Sequence, residues 1–455
     1  MSTLTFPILD TFSVTVEATH NPLQLPLNCL FSMAARLNKK RSFLFVSKLL
    51  GKHIAVNPYT SLLSGAALAV LLYEQRGGKD ERITEWKKQI VQGLSDPSHA
   101  RQAYEYLMSA NLVLTEKISF VGFAETATAL GHSMYDLFAD QATYIHSTRE
   151  YISDITPDIQ FEEEHSHATA HRCYALEREA LEGSTPLVLV DDEITTGNTT
   201  LNIIRDIQRN FPRKQYYIAS LLDWRTKEDE RRFETLEAEL GIAITPLSLL
   251  KGRICIEGEP HLEISAEISV SEQELRPTVQ LNPWYIAGNL EPLYVESSDA
   301  EGRRCSSPYL RYSGRFGLSS NHNASLSAGI SKMASILRTG RTGERTLVMG
   351  TGEFMYIPMR IAAEMGEGVH YQSTTRSPIY TVDRPGYAVV AGYGYASPED
   401  LSVTHYIYNV QPGQYDEIFV LLERQWPEKS MNSMLDVLSR LGCGQIHVVY
   451  CGAPE

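Results

Sequence analysis

One stretch, residues 186–200, constrains what this chain can fold into more than any other. The apolar run Leu187, Val188, Leu189 and Val190 ends in two adjacent acids, Asp191 and Asp192. Small polar residues follow, Thr195, Thr196, Gly197, Asn198 and Thr199, and then Leu201, Ile203, Ile204 and Ile207 at helical spacing. That order predicts a buried parallel strand, a polar loop and a helix whose first turn faces the strand's C-terminal edge. In an open α/β sheet that edge is where ligands bind. A loop rich in Thr and Gly at a helix N-terminus offers free N–H groups and a positive dipole end, which suits a phosphate. The two carboxylates before it can accept hydrogen bonds from sugar hydroxyls, so one loop can hold a ribose and its 5′-phosphate.

The string Val190-Asp191-Asp192-Glu193-Ile194-Thr195-Thr196-Gly197-Asn198-Thr199 resembles the PRPP-binding motif of type I phosphoribosyltransferases. The resemblance implies ribose hydroxyls on Asp191 and Asp192, and the 5′-phosphate on Thr195, Thr196, Gly197, Asn198 and Thr199. It implies an α/β fold, a mostly parallel sheet flanked by helices. Such a fold can also keep PRPP binding and lose catalysis, as regulators do.

At 455 residues the chain has room for two or three domains. A net charge of −14 with no broad basic stripe argues against a nucleic-acid surface; Lys39, Lys40 and Arg41 form only a short cluster. The cysteines at 29, 173, 255, 305, 443 and 451 show no C-x-x-C pair and read as reduced thiols of a cytoplasmic protein. No signal-peptide pattern is present, and the most apolar segment, residues 61–73, is too short to span a bilayer and suits a buried helix.

In chain order, residues 4–17 alternate as one or two edge strands, while 27–37 and 42–50 carry helical spacing. Residues 1–115 are therefore expected to be a helix-rich cover or hood. Residues 118–121 predict a strand, 122–128 a small-residue loop and 129–138 a helix. In the family this loop holds pyrophosphate, which implicates Glu125, Thr126, Ala127 and Thr128. Ser147, Thr148 and Arg149 fall where the family's mobile loop closes over PRPP, and the Arg149 fork suits pyrophosphate. Residues 161–171 gather three acids and three histidines. Three readings stay open: a solvated hinge, base or proton handling by Glu164, His165 and His167, or a metal held by His165, His167 and His171. Two short strands, 241–250 and 253–256, are expected to close this domain, 116–270. The proline-punctuated segment 271–310 reads as a linker or docking segment.

The C-terminal part, 311–455, echoes the first. Residues 347–354 parallel 120–125, 372–378 parallel 146–150, and 418–424 parallel 187–192. Val121 and Ser147 lie 26 residues apart, Val348 and Ser373 lie 25 apart, and the spacing suggests a duplicated domain of similar plan. The copy is degenerate: Leu422 and Glu423 face Asp191 and Asp192, and residues 426–430 replace 195–199 with Pro427 and no glycine. It retains the options of binding another phosphate, binding the acceptor, or serving a partner. The strings 311–318 and Thr375-Arg376-Ser377-Pro378 are similar to the TRSP domain, which follows a phosphoribosyltransferase domain in proteins of bacterial tellurium-resistance gene clusters. In this half Arg315, Glu353 and Arg376 are the candidates, each with a structural ion pair as the rival explanation.

The resemblance implies one PRPP site per chain, Mg²⁺ carried by PRPP with no dedicated protein ligands, and transfer of the phosphoribosyl group to an unknown nitrogen base with release of pyrophosphate. The alternatives are a PRPP or nucleotide sensor, and a phosphorylase or hydrolase running the other way. Neither nucleic acid nor membrane is expected as a partner. A homodimer and partners from the same gene cluster stay open.

Overall fold

Leu187, Val188, Leu189 and Val190 are buried on both faces, as a central parallel strand requires. The computed structural model describes residues 2–10, 12–37, 41–162, 170–260, 262 and 280–452. In the first half the strands are β1 (Thr3–Leu9), β2 (Phe12–His20), β3 (Phe31–Ala35), β4 (Phe43–Ser47), β5 (Leu112–Gly122), β6 (Phe138–His146), β7 (Leu187–Ile194), β8 (Gln215–Asp223) and β9 (Ala243–Gly258). The second half contributes β10 (Gln280–Tyr285), β11 (Leu318–Ser319), β12 (Thr346–Gly350), β13 (Val369–Ser373), β14 (Glu417–Leu422) and β15 (Gln445–Tyr450). The helices used below are α1 (Pro58–Gln75), α2 (Ala127–Tyr135), α3 (Asn198–Asn210), α4 (Lys227–Leu240), α5 (Tyr356–Glu364) and α6 (Glu428–Ser439).

The larger sheet runs β1-β2-β9-β8-β7-β5-β6-β11, with β6, β5, β7, β8 and β9 mutually parallel and the flanking strands antiparallel. The second sheet, β10-β15-β14-β12-β13, is parallel throughout. In both, the second strand of the unit lies on one side of the first, and the third and fourth lie on the other. The repeat expected from spacing is thus a repeat of topology, with β5, β6, β7 and β8 matched by β12, β13, β14 and β15. Each sheet has a switch point, between β5 and β7 and between β12 and β14, the place where open α/β sheets bind ligands.

Four expectations are revised. Residues 31–35 and 43–47 form a hairpin rather than helices, leaving only a single helical turn at Leu27–Leu30. Aromatic side chains suit a pleated surface, and Phe31 and Phe45 pack on Trp224 with ring centroids 6.0 and 4.5 Å away. Strands β1 and β2 belong to the main sheet, so the N-terminal region is more than a helical cover. The two short strands expected at 241–250 and 253–256 are one, β9, which pairs with β8 up to Lys251 and with β2 beyond it. At the changeover a Cβ on Gly252 would lie 2.7 Å from both the Glu17 carbonyl and the Trp224 ring. Finally, β10 falls inside the segment expected as a linker, yet pairs with β15 as an edge strand of the second sheet.

The apolar segment 61–73 does form a buried helix. Helix α1 starts at Asn57, whose side chain accepts from Tyr59 N at 3.0 Å, with proline at the first turn. It lies so close to α2 that a Cβ on Gly65 would sit 2.4 Å from Ser133 Cβ. Chain 51–56 then reaches the second sheet, where Val56 and Tyr371 exchange backbone hydrogen bonds of 3.0 and 2.8 Å. The N-terminal region therefore ties both halves together.

Candidate functional site

Parallel pairing sets the candidate loops side by side. Val190 pairs with Gly122, and Phe123 N donates to the Val190 carbonyl at 3.1 Å. The loop after β5, carrying Glu125, Thr126, Ala127 and Thr128, therefore adjoins Asp191 and Asp192 at the switch point. Gly122 is required there, because a Cβ would meet the Ala127 carbonyl at 2.6 Å and the Tyr144 hydroxyl at 2.7 Å. The Ala124–Glu125 peptide is cis.

The loop after β7 has the predicted shape. Asp191, Asp192, Thr195, Thr196, Asn198 and Thr199 are half-buried at the sheet edge, and Asp192 N donates to Asp191 Oδ1 at 2.9 Å. Gly197 takes φ +74°, and a Cβ there would lie 2.5 Å from the Phe233 ring. Only glycine serves both demands. Asn198 accepts from Arg232 on α4. Behind the loop Asp223 and Arg225 form a buried two-point pair of 2.9 and 2.7 Å, with the guanidinium over Phe233. Arg41, beside the β3–β4 hairpin, pairs with Glu193 at 2.5 Å and brings that hairpin to the rim.

The remaining candidates meet in a reciprocal seam between the halves. Glu353 accepts from the Thr148 hydroxyl at 2.6 Å and Arg149 N at 2.7 Å. Glu125 accepts from the Thr375 hydroxyl at 2.9 Å and Arg376 N at 3.3 Å. Ala124 N donates to Ser147 Oγ at 3.0 Å, and Gly352 N to Thr374 Oγ1 at 3.0 Å. Each half thus offers its first-loop glutamate to the Thr-Arg step of the other. The true register pairs Ser147 with Thr374, one residue beyond the Ser373 suggested by spacing alone. Ser147 and Thr148, placed by the resemblance in the family's mobile loop, are wholly buried here, and the Glu353 carboxylate anchors the segment.

Arg315 lies at the centre, 2 % exposed, with Glu150 at 3.0 Å, Glu353 at 2.7 Å, Glu423 at 3.1 Å and the Thr148 hydroxyl as partners. Burial alone would raise Glu353, but Arg315, helped by His146, Thr148 and the Arg149 N–H, holds it at about 2. Burial wins at Glu423, which is pushed up despite Arg315. Glu125 is lowered: burial opposes the shift, and His405, Lys52, Arg149 and Arg376 outweigh it. His405 accepts from Arg376 Nε at 3.2 Å and is held down at about 4, chiefly by burial. The structural ion pair is what Arg315 turns out to make, and Glu150, Arg424 and His405, which no local motif singled out, belong to the same network. Glu164, His165 and His167 lie outside the described residues. His171 is buried with Nδ1 3.2 Å from Ser147 Oγ.

These histidines set an acid limit. Burial pushes His146 and His405 down to about 4, and His53 and His132 well below 6.5, so the native state keeps them neutral. Unfolding takes up their protons once the pH falls below about 6.5, and stability drops from there towards pH 4. Glu399, raised to about 8 chiefly by burial, runs the other way but releases only one proton. Net stability therefore falls with acid, by about 1.4 kcal/mol per pH unit for each proton taken up. Urea unfolding at pH 7, 6 and 5 checks this, and a His146→Gln chain should show a shallower fall.

Two family models cover most of the chain. A phosphoribosyl transferase model matches residues 30–253, and a model of the TRSP domain found C-terminal to it matches 312–438. Solved structures similar to it include the adenine phosphoribosyltransferase of Giardia lamblia complexed with 9-deazaadenine. It is 16% identical with a TM-score of 0.24, over 36% of this chain and 84% of that one. The Trypanosoma brucei enzyme in complex with AMP, pyrophosphate and ribose-5-phosphate is 14% identical with a TM-score of 0.28, over 55% and 87%. That of Rhodothermus marinus is 17% identical with a TM-score of 0.22, over 36% and 84%. No curated protein matches the chain. The motif after β7, the repeated topology and the two matched models agree: the chain belongs to the phosphoribosyltransferase family that carries a C-terminal TRSP domain, an enzyme family of the glycosyltransferase class.

Proposed function

We propose that this chain binds Mg-PRPP at the first switch point and transfers its 5-phosphoribosyl group to a nitrogen base, releasing pyrophosphate. The observation that carries the reading is the adjacency of two loops: the acids and glycine cradle after β7, and the Gly122–Thr128 loop after β5. Asp191 and Asp192 hold the ribose hydroxyls, and residues 195–199 hold the 5′-phosphate at the α3 N-terminus. The loop of Glu125, Thr126, Ala127 and Thr128 takes the pyrophosphate end through its backbone, with Arg149 beside it. The chain's contribution is positioning and charge stabilisation as the bond at C1 loosens. Mg²⁺ would arrive with PRPP, without dedicated protein ligands, and would neutralise charge on its phosphates.

The β3–β4 hairpin, tied to Glu193 through Arg41, is the surface best placed to read the base. The resemblance to tellurium-resistance proteins supports a role in a nucleotide-like biosynthetic module. Free cysteines, and the lack among the described residues of a helix long and apolar enough to cross a membrane, accord with a cytoplasmic setting. A sensor is the second reading, favoured by the anchoring of Thr148 and Arg149 to Glu353. The test is calorimetry with Mg-PRPP, followed by a screen of purine and pyrimidine bases for PRPP-dependent pyrophosphate release. Binding with release by one base supports the enzyme. Binding without release by any base favours the sensor, and no binding removes both.

A further inference from the structure

The second sheet has its own switch point, and a cleft of about 520 Å³ opens beside it, at the C-terminal end of β14. Arg303, Arg304, Ser307, Glu399, Trp426 and Ser430 line it. In the register of the repeat, Trp426 to Ser430 stand where Thr195 to Thr199 stand in the first half. The cleft therefore holds, in the second half, the place of the PRPP site.

Its chemistry has changed in three ways. Leu422 replaces Asp191, and Glu423, the counterpart of Asp192, is committed to Arg315 at 3.1 Å and Leu310 N at 3.2 Å. No pair of acids remains to hold a ribose diol. Pro427 removes one donor from the phosphate cradle. The Glu399 carboxyl oxygens lie 3.7 and 3.9 Å from where a Cβ on Gly352 would be, against the loop that matches the pyrophosphate loop.

What remains is a different recognition set. The Trp426 indole, with the Arg424 guanidinium 4.9 Å from its centroid, offers a platform for a planar ring. Arg303 is held by Asp299, which also lines the cleft, at 2.6 Å and by Glu301 at 3.5 Å, whereas Arg304 is 73% exposed and paired at the surface with Glu296 at 3.1 Å. An exposed pair of that kind exchanges readily for an anion. Ser307 and Ser430 add hydroxyls to the lining, and the volume is that of a small-ligand site.

We propose that this cleft is a second ligand site that takes a nucleoside 5′-monophosphate, its base against Trp426 and its phosphate on Arg304. Occupancy reaches the first half by two routes. Glu399 lines the cleft and feels the charge of Arg376, whose backbone N–H donates to Glu125. Arg424, which backs Trp426, shares Glu150 with Arg315, next to Arg149. The site stands on its own observations and does not require the PRPP assignment.

The test is calorimetric titration of the full chain with AMP, GMP, CMP and UMP, with and without saturating Mg-PRPP. The expected result is binding of at least one of them that persists with PRPP present. Trp426→Ala and the surface change Arg304→Ala should each weaken it at least tenfold and leave PRPP affinity unchanged. Displacement by PRPP, loss in the Asp191→Asn, Asp192→Asn chain, or survival in both cleft variants overturns the proposal, as does no binding at all. If PRPP does not bind the wild-type chain, nucleotide binding that is lost in Arg304→Ala still supports the cleft, so the two assignments fail separately.

Discussion

Replacing Arg315 with methionine is expected to destabilise the chain by about 3–5 kcal/mol, the cost of removing one partner from a buried ionic cluster. The guanidinium is the shared counter-charge of Glu150, Glu353 and Glu423, and it is 2 % exposed. Its removal leaves carboxylates of both halves facing one another in a medium that solvates them poorly. Methionine fills much of the volume, so the loss reports charge rather than a cavity. Adding Glu353→Gln and Glu423→Gln to the same chain should restore part of the stability, because neutral amides need no counter-ion. Equilibrium urea unfolding measures both. A loss under about 1 kcal/mol would place Arg315 in the class of exposed pairs and contradict its burial.

The Asp191→Asn, Asp192→Asn chain is expected to bind Mg-PRPP at least a hundredfold more weakly than the parent. Hydrogen bonds to charged groups contribute about 1.5–3 kcal/mol each, and two are lost together. Both acids are half-buried at the strand end and asparagine has nearly the same shape as aspartate, so folding should be little affected. Circular dichroism checks that separation. Gly197→Ala should reach a similar loss by another route. The acids stay, but φ +74° and the 2.5 Å approach to Phe233 displace the phosphate-binding turn. Unchanged calorimetric affinity in the double variant would remove the PRPP assignment.

The sequence carried the first half's chemistry because that chemistry is local. An apolar strand, two acids and a Thr-Gly-Asn-Thr loop lie within fifteen consecutive residues, and backbone geometry turns such a string into a cradle with little help from elsewhere. The repeat was legible for the same reason: Gly122 and Gly350 each end a first strand, and the spacing to the next strand is kept. The hairpin at 31–47 is not legible locally because short apolar runs suit either periodicity, and Trp224, nearly two hundred residues away, decides between them. The edge strand at 280–285 was hidden by its prolines and polar neighbours, and only β15 gives it a partner.

By itself, then, the sequence determined a family, a strand–loop–helix string that suits ribose and phosphate, and a second copy without that string. The tertiary structure decided where the two copies face each other. It pairs Glu125 with the Thr375–Arg376 step and Glu353 with the Thr148–Arg149 step, and seals the seam with Arg315. The two glutamate contacts join residues more than two hundred positions apart. Their energies depend on burial and on charge brought close in space, neither of which leaves a mark on any single stretch of chain.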